Sequence, residues 1–174
     1  MTAKVDAVNL ATAMQTFRAE YGYWPVSEER ARGTNRDFTF GTEGTSSACV
    51  VTNGSGREAN NSEVVRILMA NEAGAPGGNL PGQDLRNPRK ILFLHAKTLG
   101  DNGRGGVGID GVFRDPWGNP YIITLDLNGD GWCEGGGYRM KGAVSVWSFG
   151  RDKKANLKEA RDVGVNKDNI HFDR

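Results

Sequence analysis

The sequence predicts an α+β domain in which a long N-terminal amphipathic helix packs on a C-terminal antiparallel β-sheet. Three observations carry this. Apolar residues recur at helical spacing from Ala3 to Tyr21, β-branched and aromatic residues concentrate in the last third, and the glycine-rich middle keeps no period. A chain of 174 residues with 37% hydrophobic and 9% aromatic residues can fill one core, so a single domain is expected over residues 1–174. Within it, residues 1–22 form the helix, 27–114 a loop-rich middle with a second short helix, and 115–174 the sheet and tail.

The helix is defined by Ala3, Ala7, Leu10, Met14, Phe17 and Tyr21, whose spacings of three and four line one face. Gly22 suits a left-handed stop and Pro25 cannot continue a helix, so the end is set chemically. Trp24, just past the stop, is placed to pin the turn onto the body. Val5 and Val8 lie off the main stripe and ask for a second packing partner. The periodic segment starts almost at the first residue without a cap, as if continuing a longer helix. No apolar stretch approaches the roughly 18 residues of a membrane-spanning helix, and no secretory signal pattern is present. The chain as given is expected to be soluble.

From Ser27 to Asn61 the sequence reads as irregular connection, with Phe38-Thr39-Phe40 and Ala48-Cys49-Val50-Val51 as short edge strands. Ser62 before Glu63, Val64, Val65, Ile67 and Leu68 predicts a helix capped by Ser62 and ending near Asn71. Residues 74–88 read as linker, and Ile91-Leu92-Phe93-Leu94 as an apolar run that packs against the sheet. Residues 120–127 and 143–149 predict an antiparallel pair of strands with one well-buried face, joined by a long hairpin connection through 128–137.

Charge names no partner: 22 basic and 21 acidic residues leave +1 with no run of one sign, which argues against nucleic acid. His95 and His171 have no nucleophile or second histidine at useful spacing, so surface or packing roles are expected. The glycines from Gly103 to Gly111 neither follow a strand nor open a helix, and so make a loop rather than a nucleotide cradle. Trp117 and Trp147 adjoin strands and are expected in the core. Asp126, Asn128 and Asp130 stand at alternate positions before Gly131, the opening of a calcium loop, yet position twelve is Gly137 in place of the bidentate glutamate. The same residues are also turn formers, and both readings stand. Cys49 and Cys133 can be neither paired nor kept apart by spacing.

Three segments together resemble the pseudopilins of type II secretion, the major subunit in particular, and related type IV pilin-like proteins. KVDAVNLATAMQTFRAEYGYWP (Lys4 to Pro25) resembles the distal half of the pilin helix with its aromatic stop. DPWGNPYIITLD (Asp115 to Asp126) resembles the turn into the family's sheet, and VSVWSFGRD (Val144 to Asp152) the strand ending in Ser-x-Gly-x-Asp.

The resemblance implies a structural subunit rather than an enzyme. It implies an upstream hydrophobic segment anchored in the bacterial inner membrane, a head in the periplasm, and polymerisation with like and related subunits for protein secretion. In that compartment a bond between Cys49 and Cys133 is chemically allowed. It also implies calcium held by Ser148, Asp152 and Asp168 with backbone carbonyls, although Lys153, Lys154 and Lys158 stand in a loop that is acidic in the family. Two other classes remain open from the residues alone. One is a secreted calcium- or carbohydrate-binding module using the Asp126 to Asp130 loop and the tryptophans; the other is a hydrolase using Asp110 or Asp115.

Overall fold

The computed structural model describes residues 2–32, 36–41, 59–70, 86–134 and 138–173. Helix α1, Ala3–Tyr21, forms on the predicted stripe: Ala3, Ala7, Leu10, Met14 and Phe17 are buried, and Ala11 and Ala13 widen the face. It stops as its sequence demands, with Gly22 at φ 78° and its N–H donating to the Arg18 carbonyl at 2.8 Å. Trp24 then turns inward and donates from Nε1 to the Asp126 carbonyl at 3.2 Å, while the Arg18 guanidinium lies 4.4 Å above its ring.

The main sheet has four strands in the order β1-β4-β7-β8, antiparallel throughout. They are β1 Phe38–Phe40, β4 Ile122–Leu125, β7 Val144–Ser148 and β8 Ile170–Asp173. Two small ribbons complete the β-structure, β2 Gly106–Val107 with β3 Phe113–Arg114, and β5 Trp132–Cys133 with β6 Met140–Lys141. Helix α2, Glu28–Arg32, and α3, Ser62–Leu68, fill the middle. Among the described residues, no helix is long and apolar enough to cross a membrane.

Register explains the core. Pairing of Ile123 with Val146 and of Leu125 with Val144 puts alternate residues of β4 and β7 on the side of α1, where Phe38 and Phe40 join them. The opposite side was not expected to be well buried. Instead Ile122, Trp147 and Phe149 pack there with Tyr138 and Met140, and Ala155 and Leu157 lean on them. Both faces are covered because the β5–β6 arm folds back across the sheet. Small polar groups accommodate it: Thr39 and Thr124 hydroxyls lie 3.0 Å apart, and Ser145 donates to the Met140 sulfur.

The middle segment corrects several expectations. The connection after Ser27 contains α2, whose Arg30 Nε lies 2.8 Å from Glu63 Oε2, while Glu63 Oε1 accepts the Ser27 N–H at 2.7 Å. Asn61, not Ser62, occupies the capping position of α3 and makes no capping bond. Its buried amide bridges elsewhere: Oδ1 accepts the Phe113 N–H at 2.9 Å, and Nδ2 donates to the Phe113 and Tyr121 carbonyls at 3.0 and 2.9 Å. Helix α3 ends at Leu68 because the Leu68 carbonyl receives the N–H groups of Phe93 and Leu94 at 2.8 and 3.0 Å. The Ile91 to Leu94 run is thereby held to α3 and to the aromatic end of α1, with Phe93 5.2 Å from Phe17, and Leu94 is buried in the core that α1 shares with the sheet. The expected strand at Ala48 to Val51 and most of the linker, residues 74–85, lie outside the described residues.

Candidate functional site

The segment from Asp115 to Tyr121 is a turn built around one buried carboxylate. Asp115 Oδ1 accepts the N–H groups of Trp117 and Asn119 at 2.9 and 2.8 Å, and Oδ2 accepts the Asn119 side chain at 2.8 Å. Its backbone carbonyl receives Gly118 at 3.0 Å, and its N–H reaches the Asn119 carbonyl at 2.8 Å. Pro116 and Pro120 carry no N–H, and the N–H groups that remain in the turn are each accepted, two by this carboxylate and the others by backbone carbonyls. A buried charge is tolerated because it is satisfied on every side. Trp117 is only half-buried, against the core position expected for it, whereas Trp147 is wholly buried.

Two contacts carry this turn outward. Asn119 Nδ2 donates to the Gly150 carbonyl at 2.7 Å, tying it to the loop after β7. The Tyr121 hydroxyl donates to the Ala3 carbonyl at 3.2 Å and lies 3.4 Å from Asp6 Oδ2, tying it to the first turn of α1. Asp6 is buried on the apolar face of the helix. Burial raises its carboxyl above the ordinary aspartate range, outweighing the opposing pull of the chain's amino group and the Tyr121 hydroxyl.

The loop after β7 brings two of the three expected calcium ligands together. Gly150 has φ 67°, and a Cβ there would fall 2.0 Å from the Asp168 carbonyl, so the two loop arms touch backbone to backbone. Asp168 Oδ2 accepts the Asp152 N–H at 2.8 Å, and Asp152 Oδ1 accepts the Lys154 N–H at 2.8 Å. Ser148 lies in β7, fully buried, its Oγ without a hydrogen-bond partner among the described residues. Ser148, Asp152 and Asp168 would supply part of the roughly six to eight oxygens that calcium takes, with backbone carbonyls needed for the rest. As arranged, a carboxylate-to-amide bond closes the loop. Asn166 reinforces it by donating to the Asn156 and Ala160 carbonyls, each at 2.9 Å.

The Asp126 to Asp130 oxygens are likewise spent on their own turn. Asp126 accepts the N–H groups of Gly129 and Gly131 at 2.6 and 2.9 Å, Asn128 Oδ1 accepts that of Asp130 at 3.0 Å, and Asp130 Oδ1 that of Trp132 at 2.8 Å. Asp37 braces the same corner by accepting the Leu127 and Glu134 N–H groups at 3.3 and 2.6 Å. Burial, aided by the charges of Asp126 and Asp130, raises its carboxyl. Cys133 is buried beside them, its thiol near the Thr124 and Gly142 carbonyls at 3.4 and 3.3 Å and pushed up to about 12, chiefly by burial. Its candidate partner Cys49 lies outside the described residues. No group of three or more His, Cys, Asp or Glu able to hold a metal occurs among the described residues.

The remaining candidates resolve into packing and pairing. His95 is exposed, and His171 stacks on Trp147 with ring centroids 5.8 Å apart. The glycine-rich stretch from Gly103 contains the β2–β3 ribbon. At its tip Asp110 opposes Arg114 at 2.5 Å; burial would raise this carboxyl, but the guanidinium and the Val112 N–H bring it below the usual range. Trp132 lies under Arg139 at 4.0 Å. Sequence reasoning missed Asn61 and Asp6. Only Asp6 left a signal, a charge three residues after Ala3 within the apolar stripe.

No protein-family model matches the sequence, and neither a curated protein nor a solved structure matches the chain.

Two outcomes follow from this geometry. Asp6 is held above its unfolded pKa, so its favourable contribution is complete below about pH 4 and is lost as pH rises through the raised value. Asp6→Asn, neutral throughout, should melt above the parent at neutral pH, with the gap closing toward about pH 4; a gap independent of pH would contradict this. Asp168→Ala should cost about 1–2 kcal/mol in urea unfolding by removing the loop's closing acceptor. Chelator should leave the parent's melting curve unchanged; a large chelator-induced drop would show that an ion, not this bond, closes the loop.

Proposed function

We propose that this chain is the head of a type IV pilin-like protein of the secretion-pseudopilin kind, a structural subunit that assembles with its own kind and related subunits and performs no turnover. The observation that carries the reading is the Tyr121 bond to the Ala3 carbonyl, made from within the DPWGNPY turn. It fixes the first turn of an amphipathic helix to the sheet, so that a force or position transmitted along α1 reaches the head directly. Further support comes from α1 lying against β7 and β8 of an antiparallel sheet, and from the aromatic stop at Tyr21, Tyr23 and Trp24. The carboxylates of a hydrolase reading are committed elsewhere, Asp110 to Arg114 and Asp115 to its own turn.

On this reading the native protein reaches the bacterial inner membrane through sequence upstream of α1, with the head in the periplasm. The decisive experiment isolates the full gene product from its host envelope and introduces paired cysteines on neighbouring heads. Ladders of crosslinked copies in sheared filaments are expected. A gene product that lacks an upstream apolar segment of about 20 residues, or that stays monomeric in the envelope, would overturn the reading.

A further inference from the structure

We propose that Asn128 is a latent deamidation site whose reaction is held back by Asp126. Asn128 is exposed and is followed by Gly129, the one residue type that puts no side chain in the way of attack by its own backbone nitrogen. In the reaction the Gly129 nitrogen, on losing its proton, attacks Asn128 Cγ. A C–N bond forms, the bond from Cγ to the side-chain nitrogen breaks, and ammonia leaves with that proton. Water then opens the resulting succinimide at either carbonyl, giving an aspartyl or an isoaspartyl residue at position 128.

The native loop opposes each part of this step. The Gly129 N–H donates to Asp126 Oδ1 at 2.6 Å, so the nitrogen that must lose a proton faces a negative charge that disfavours its anion. That carboxylate is only 5% exposed and is itself fixed by the Gly131 N–H at 2.9 Å. The Asn128 carboxamide is engaged at both atoms, Oδ1 with the Asp130 N–H at 3.0 Å and Nδ2 with Asp130 Oδ2 at 3.3 Å. Reaction therefore requires the loop to open first. Its isoaspartyl product would lengthen the backbone inside the connection from β4 to β5, and either product adds a negative charge beside Asp37, Asp126 and Asp130.

A second exposed pair serves as an internal control: the Gly103 N–H after Asn102 is held at 2.9 Å by Asp101 Oδ1, remote from Asp126 in the chain. The test incubates the parent chain and Asp126→Asn at mildly alkaline pH and measures deamidation at both asparagines by peptide mass spectrometry. A parallel sample of the parent is held in urea. In native buffer the parent should react at Asn128 at least ~10-fold more slowly than in urea, and Asp126→Asn should lose that protection while Asn102 keeps its own. Equal rates at Asn128 in native buffer and urea would overturn the proposal. So would protection that survives Asp126→Asn, or equal acceleration at both sites.

Discussion

The buried carboxylate of Asp115 is the constraint on which the rest of the structure depends. A wholly buried charge can persist only with its oxygens bonded, and here the partners are the amides of its own turn. Satisfying it dictates the path of residues 115–121, and that path sets three junctions. Asn119 meets the Gly150 carbonyl, Gly105 donates to the Asp115 carbonyl at 2.8 Å, and Tyr121 is delivered to the start of α1. Asn61 closes the assembly from behind, joining α3 to the backbones of Phe113 and Tyr121.

These contacts lie far apart in sequence, which explains how helix, sheet and C-terminal loop keep one arrangement despite a glycine-rich middle. The turn itself contributes little apolar area. Its effect is to orient elements whose burial supplies most of the stability: α1 through Leu10, Met14 and Phe17, and the sheet through Ile123 and Val146. Asp6 works against that burial. Its carboxyl sits on the apolar face within reach of the Tyr121 hydroxyl, so the helix start is both anchored and sensitive to protonation.

What the sequence revealed depended on how far each signal extends along the chain. Helix α1 and its stop at Gly22 were legible because six apolar positions repeat and a glycine ends them. Strands β4 and β7 were legible through their β-branched residues, and the loop reading of Asp126 to Asp130 through turn chemistry. Strands β5 and β6 span two residues each, too short for alternation to register, and β8, Ile-His-Phe-Asp, has one β-branched residue where β4, of the same length, has three. Helix α2, Glu-Glu-Arg-Ala-Arg, has no apolar stripe, and it is held by the ion pair to Glu63 instead. The covered second face of the sheet was hidden because Thr39, Thr124 and Ser145 look like solvent-facing residues. At the candidate ion site, the family resemblance pointed to Asp152 and Asp168, and the Asp152 N–H does meet Asp168 Oδ2; residue types alone cannot tell whether two carboxylates gather around a cation or around an amide.

Amide hydrogen exchange on the parent and on Asp115→Ala tests the central claim most directly. If the Asp115 turn positions its surroundings, the variant should lose protection in three places: the turn, the first turn of α1 and the loop beyond Gly150. Loss confined to residues 115–119, with α1 and the Gly150 loop as protected as in the parent, would contradict it.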